Sequence, residues 1–183
     1  MSKFAIEVPP LTCAEIISVA TDVRQRFGVT GDRYPVVQIL EVGMLLLDPE
    51  FTFGVKERYL MKDDLGQTVP SENAIYLRED VYKRAANDVY NDRFTVAHEL
   101  GHHFLHKNVK VTFHQKHHRR KYRPQTDSEW QADIFGAALM MPVRRLIKCR
   151  SLDEAAVRFG VPKSKVGSFN RALDRERLMR RLY

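Results

Sequence analysis

The stretch His98-Glu99-Leu100-Gly101-His102 constrains this chain more than any other. Histidines four residues apart lie on one face of an α-helix, with Cβ atoms about 5–6 Å apart. Both can therefore reach one metal ion at Zn–N distances of about 2.0–2.1 Å. Glu99 follows the first histidine by one position, roughly 100° around the helix, beside the pair rather than between its members. From there it can take a proton from an attacking water. The helix is expected on other grounds too. Asn91 or Asp92 offers an N-cap, and Phe94, Ala97, Leu100 and Phe104 recur at three- and four-residue spacing as a buried stripe.

A second pairing, His102 with His106, has the same spacing but places His103 after its first ligand, a site without a base. All three histidines cannot share one ion, because His98 and His106 stand about 12 Å apart along the axis. The 98/102 pair is the favoured one, with His106 interacting with the helix C-terminus or packing nearby. Zn2+ is the expected metal, and it needs one more protein ligand beside an open position. The metzincin arrangement is excluded, since the places for its glycine and third histidine hold Leu105 and Asn108. Downstream, residues 128–142 read as an apolar helix with two acids one turn apart, Glu129 and Asp133. A helix this apolar must be buried, and buried acids need a partner such as a cation. Glu129 is therefore the candidate third ligand. Asp133 is the candidate acceptor of a hydrogen bond from a ligand imidazole, which would hold the ring's tautomer. A capping box from Thr126 to Glu129 is the competing reading.

The pattern His98-Glu99-x-x-His102, then Glu129-x-x-Ala132-Asp133 leading into Phe135-Gly136-Ala137-Ala138-Leu139-Met140-Met141-Pro142, resembles the ImmA/IrrE family of metallopeptidases. Arg93-Phe94-Thr95-Val96-Ala97 and Leu105-His106 are similar to that family as well, and the likeness is densest over residues 91–142. It implies a zincin of the gluzincin type, with Glu129 as third ligand and Asp133 as the orienting acid. It also implies an α+β fold with a small mixed sheet, an active-site helix and a helical C-terminal extension. The substrates it implies are regulatory proteins, often helix-turn-helix repressors or antitoxins encoded by an adjacent gene.

At 183 residues, with 44% hydrophobic and 29% charged residues, the chain has the composition of an ordinary globular protein. It is expected to divide into a peptidase domain over 1–150 and a helical extension over 151–183. No apolar run approaches the roughly 18–20 residues that cross a bilayer, and no signal-like series opens the chain, so a cytoplasmic location without membrane contact is expected. Cys13 and Cys149, far apart and outside any CxxC, suit a reducing compartment. The net charge of +7 resides in residues 107–123, where seven Lys and Arg occur with no acid. This segment joins the two metal-bearing helices and would attract an acidic peptide or a nucleic-acid backbone.

Elsewhere, Thr12-x-x-Glu15 opens a helix that Gly28 closes, and Pro35 opens a shorter one ending near Gly43. Residues 44–47 read as a buried strand, and 51–61 as strands broken at Gly54. Asn73-Ala74-Ile75-Tyr76-Leu77 reads as a strand. As an edge strand it would pair through Asn73, Ala74 and Ile75 with an extended substrate, a plain interior strand being the alternative. Residues 81–90 should be helical. His114, His117, His118 and Tyr122 are candidates for stabilising an oxyanion, none singled out by spacing. Residues 152–173 fit a helix-turn-helix with its turn at Gly160-Val161-Pro162. Lys163, Ser164, Lys165 and Ser168 would meet DNA in that case, though a structural helical pair is favoured. The expected activity is that of a zinc-dependent endopeptidase on a protein substrate. The rivals are a DNA-binding regulator and a non-catalytic partner in a toxin–antitoxin-like module.

Overall fold

The computed structural model describes residues 7–107, 109 and 124–179. Helix α1 (Cys13–Arg26) is opened by the expected box, with the Thr12 hydroxyl accepting from the Glu15 amide at 3.2 Å and the Glu15 carboxylate accepting from the Thr12 amide at 2.8 Å. Its buried stripe is Cys13, Ile16, Ala20 and Val23. The chain then turns through Gly28, which has a φ of +62° and so the left-handed conformation that glycine adopts without strain.

The strand expected over 44–47 is a helix. α2 (Val36–Gln38) passes through a π-turn over Ile39–Gly43 into α3 (Met44–Leu47), the Met44 amide bonding to the Ile39 carbonyl five residues back. Ile39, Leu40, Gly43 and Met44 are buried while Leu45, Leu46 and Leu47 are not. Only a helical repeat selects that set, and an apolar run of four cannot distinguish the two structures from within.

The sheet has three strands, β1 (Thr52–Lys56), β2 (Gly66–Val69) and β3 (Ala74–Arg78), in the order β1-β3-β2. β1 runs parallel to β3 with Thr52 opposite Ala74, and β2 runs antiparallel with Val69 opposite Ala74. Gly54 does not break β1. A Cβ there would meet the Tyr76 ring at 2.8 Å, so the glycine makes room for an aromatic side chain on the next strand. Past β1 the chain is helical over α4 (Arg58–Met61), where strand was expected. The segment 73–77 is not an edge either. β3 is the middle strand with a hydrogen-bonded neighbour on both sides, and Ala74 and Ile75 are fully buried. At Asn73 the backbone carbonyl accepts from the Thr52 amide at 3.0 Å, while the side-chain NH2 donates to Asp48 at 2.9 Å. Their backbone is spent within the sheet, and none can pair with a substrate.

α5 (Glu79–Ala86) leads to α6 (Tyr90–His106), and α7 (Ser128–Met140) crosses α6. α6 starts from Val89 without a side-chain cap. Asp92 is one turn too late to serve, and its carboxylate takes both Nε and Nη2 of Arg84 at 2.9 Å. α8 (Val143–Leu146), α9 (Leu152–Phe159) and α10 (Lys163–Arg175) complete the fold, with Gly160 at φ +65° in the α9–α10 turn. Apolar residues of α1, α6, α7, α9 and α10 share one buried cluster. No described helix is long and apolar enough to cross a membrane.

Candidate metal centre

Two glycines bring α6 and α7 together. A Cβ on Gly101 would stand 2.9 Å from the Ala132 carbonyl oxygen and 3.0 Å from its Cα, and one on Gly136 would stand 3.2 Å from the Ala97 carbonyl carbon. Backbones this close let short side chains from both helices meet. His98 and His102 of α6 face Glu129 of α7, and their ligand atoms all lie within 4.8 Å of one another. The His98 and His102 Nε2 atoms are 3.1 Å apart and the Glu129 carboxylate straddles them, its Oε2 3.4 Å from His98 Nε2 and its Oε1 3.4 Å from His102 Nε2. Tetrahedral ligands at about 2.0–2.1 Å from a small divalent cation stand about 3.3–3.4 Å from each other. The two nitrogens, each with its nearer Glu129 oxygen, have separations of this order, and one imidazole pair with one carboxylate is the donor chemistry of such a site.

Glu129 is thus turned toward the imidazoles and not back onto the helix end. The cap is Asp127, whose carboxylate accepts from the Glu129 amide at 2.9 Å, in place of the competing Thr126 capping box. Burial works against charge on His98, but hydrogen bonds to Asp133 and Glu129 outweigh it and raise its pKa to about 9. Burial likewise opposes charge on Glu129, and its bonds with His102 and His98 nevertheless hold it well below the usual carboxylate range.

Asp133 lies one turn beyond Glu129 and accepts from His98 Nδ1 at 2.9 Å. This leaves His98 Nε2 facing Glu129 and His102. Lys165 of α10 donates to both Asp133 oxygens, at 2.9 and 2.7 Å, and its ammonium stands 4.8 Å from the centre of the Phe94 ring. Lys165 therefore points inward, with only 22% of its side chain exposed, and is withdrawn from the set offered to DNA. Lys163 is exposed and paired with Asp153 at 2.7 Å, and Ser164 and Ser168 are exposed.

Glu99 is buried on the side of α6 that meets β2. The Thr68 hydroxyl lies 2.7 Å from its Oε2 and 3.0 Å from its backbone carbonyl. Gly66 packs directly against it, since a Cβ there would come within 2.7 Å of the Glu99 Cγ. β2 ends the sheet, and its outer edge has no partner among the described strands. Thr68 and Gly66 escaped sequence reasoning, because nothing in a four-residue strand announces which helix it will lie beside.

His103 stays out of the cluster. It stands edge-on to Phe51 with ring centres 5.1 Å apart, and burial, with Lys107 nearby, lowers its pKa to about 4. His106 does not cap the helix end. Its Nδ1 is 3.1 Å from His102 Nδ1 and its Nε2 is 3.0 Å from the Gln131 side-chain oxygen. His114, His117, His118 and Tyr122 lie outside the described residues, as does most of the basic segment.

An α+β domain in which a crossing helix adds a carboxylate to two imidazoles has the architecture of a zincin-like metallopeptidase. Residues 61–167, more than half of the chain, match the peptidase M78 family, described as the IrrE N-terminal-like domain, and the chain belongs to that family. It is similar to Metallopeptidase ImmA of Bacillus subtilis (strain 168), with 29% identity over 133 residues that cover 63% of this chain and 75% of the relative.

Proposed function

We propose that the protein is a zinc-dependent endopeptidase whose metal is held by His98, His102 and Glu129 and whose general base is Glu99. The observation that carries this reading is the convergence from two helices of the His98 and His102 Nε2 atoms, 3.1 Å apart, on the Glu129 carboxylate, whose Oε2 and Oε1 lie 3.4 Å from them respectively. Bound Zn2+ would polarise a scissile carbonyl and acidify a water beside it. Glu99 takes the proton as the water oxygen bonds to the carbonyl carbon. It then returns the proton to the amine nitrogen as the C–N bond breaks. Thr68 keeps the Glu99 carboxylate in place, and Asp133 keeps His98 turned with Nε2 toward the site. The outer edge of β2, beside Glu99, takes the place first assigned to residues 73–75 as the strand on which an extended peptide pairs its main chain.

Backbone pairing makes few demands on side chains, which suits a protein substrate chosen by its fold or by co-expression. The substrate class proposed is a regulatory protein such as a helix-turn-helix repressor or antitoxin from an adjacent gene. The inward turn of Lys165 supports proteolysis over direct DNA recognition by α10. The test uses Glu99→Gln, which preserves shape and removes the base. Zinc content is expected to stay at the parental level while cleavage of the neighbouring gene's product falls at least about 100-fold. Parental cleavage by this variant would overturn the role given to Glu99.

A further inference from the structure

We propose that His106 and Gln131 are positioning residues that fix His102 in its Nδ1-protonated tautomer and so leave its Nε2 free for the metal. The inference rests on the metal reading above and adds to it how this second imidazole is prepared. Gln131 is fully buried on α7, and its side-chain nitrogen lies 2.8 Å from the Pro9 carbonyl oxygen and 2.7 Å from that of Gln125. Both are acceptors only, so the group between them must be the NH2, and the carboxamide oxygen must face His106. That oxygen carries no hydrogen. His106 Nε2, 3.0 Å away, therefore donates to it.

A neutral imidazole has one N–H, so His106 Nδ1 is left as an acceptor. Its partner at 3.1 Å is His102 Nδ1, which must supply the proton. The remaining nitrogen of His102 is then a bare lone pair, and it is the one that faces His98 Nε2 and Glu129. Starting from the metal gives the same directions, since a cation at His102 Nε2 requires the proton at Nδ1. Were His106 protonated on both nitrogens, its Nδ1–H would drive the proton of His102 onto Nε2 and block the site.

Two main-chain carbonyls thus set a ligand's protonation through two intervening side chains. His98 is held differently, by the carboxylate of Asp133. Between them, the two ligand rings are tied to the segment before α1, to the turn before α7 and, through Lys165, to α10.

The decisive measurement is a long-range proton–nitrogen correlation spectrum of the zinc-loaded full chain labelled with 15N-histidine. We expect His102 to be protonated at Nδ1 and His106 at Nε2. A His106 ring protonated at Nδ1, or at both nitrogens, would overturn the proposal. Zinc affinity, read by competition with a chromogenic chelator, gives a second readout. His106→Phe keeps the ring but cannot accept a hydrogen bond, and affinity should fall about 10–100-fold. His106→Asn places an oxygen near the lost Nδ1 and should restore most of that loss. Equal affinity in parent and His106→Phe would also overturn the relay. A parent chain that binds no zinc would instead remove the metal reading itself, so the two failures are distinct.

Discussion

Glu99 shows how a single strand residue can decide what a helix residue does. A carboxylate buried beside two imidazoles could rotate to pair with either, and the Thr68 hydroxyl at 2.7 Å opposes that by offering a hydrogen bond on the sheet side. Hydrogen bonds to charged groups contribute about 1.5–3 kcal/mol. Thr68→Val keeps the β-branched shape on β2 and removes only the hydroxyl. If Glu99 is the base proposed above, freeing its carboxylate misplaces the base without removing a binding contact, so kcat should fall about 10–100-fold with KM near the parental value. Thr68→Ser should retain most of the rate. A KM effect alone would show that Thr68 acts on substrate rather than on the base. The convergence of His98, His102 and Glu129, and the pairing of Asp133 with His98, were legible in the sequence because helical periodicity ties position to direction. Thr68 was not, because its partner is 31 residues away and the pairing exists only once the sheet meets α6.

At the scale of elements, the crossing of α6 and α7 is what makes two sequence motifs into one site. Gly101→Ala places a methyl 2.9–3.0 Å from the backbone of Ala132, which cannot yield as a flexible side chain would. The helices must separate, at a cost of about 1–3 kcal/mol, and a few tenths of an ångström are enough to draw Glu129 away from the two imidazoles. Urea unfolding should show the loss of stability, and zinc affinity should fall with it; a destabilised variant that binds zinc as tightly as the parent would show that the site tolerates the wider crossing. Lys165→Met tests the tie from α10: Asp133 keeps His98 but loses its cation, and zinc affinity is expected to weaken up to about tenfold. The elements read correctly from sequence were those with a periodic apolar face, such as α1, α6 and α7, even though α6 lacks the side-chain cap expected for it. Those misread lacked such internal signals. Residues 44–47 are four apolar residues of which the fold buries one; 73–77 was rightly read as a strand, but whether it lies inside the sheet or at its edge depends on β1 and β2 arriving on either side.

For the whole molecule, the cluster couples metal, protons and stability with opposite signs in its two states. In the zinc-free chain the pKa of His98 is raised from 6.5 to about 9 by Asp133 and Glu129. Protons are then bound more tightly by the folded state, so its contribution is fully present below about pH 6.5 and is lost as pH rises through 9. His103 and His106 act the other way. Burial lowers both to about 4, so the stability linked to them is complete above about pH 6.5 and is lost as pH falls toward 4. Between pH 7 and 9 the His98 contribution therefore stands apart from theirs, and amounts to about 2–3 kcal/mol. In a chain of this size that corresponds to a fall in Tm of roughly 5–10 °C. Zinc held at the proposed site would reverse the slope, because a metal that binds deprotonated imidazole stabilises only the folded state, so relief from proton competition raises stability over the same interval. Thermal unfolding at pH 7 and pH 9, once with EDTA and once with excess Zn2+, should give slopes of opposite sign. Parallel slopes would mean that His98 does not exchange its proton for the metal, and that the convergence of α6 and α7 serves packing alone.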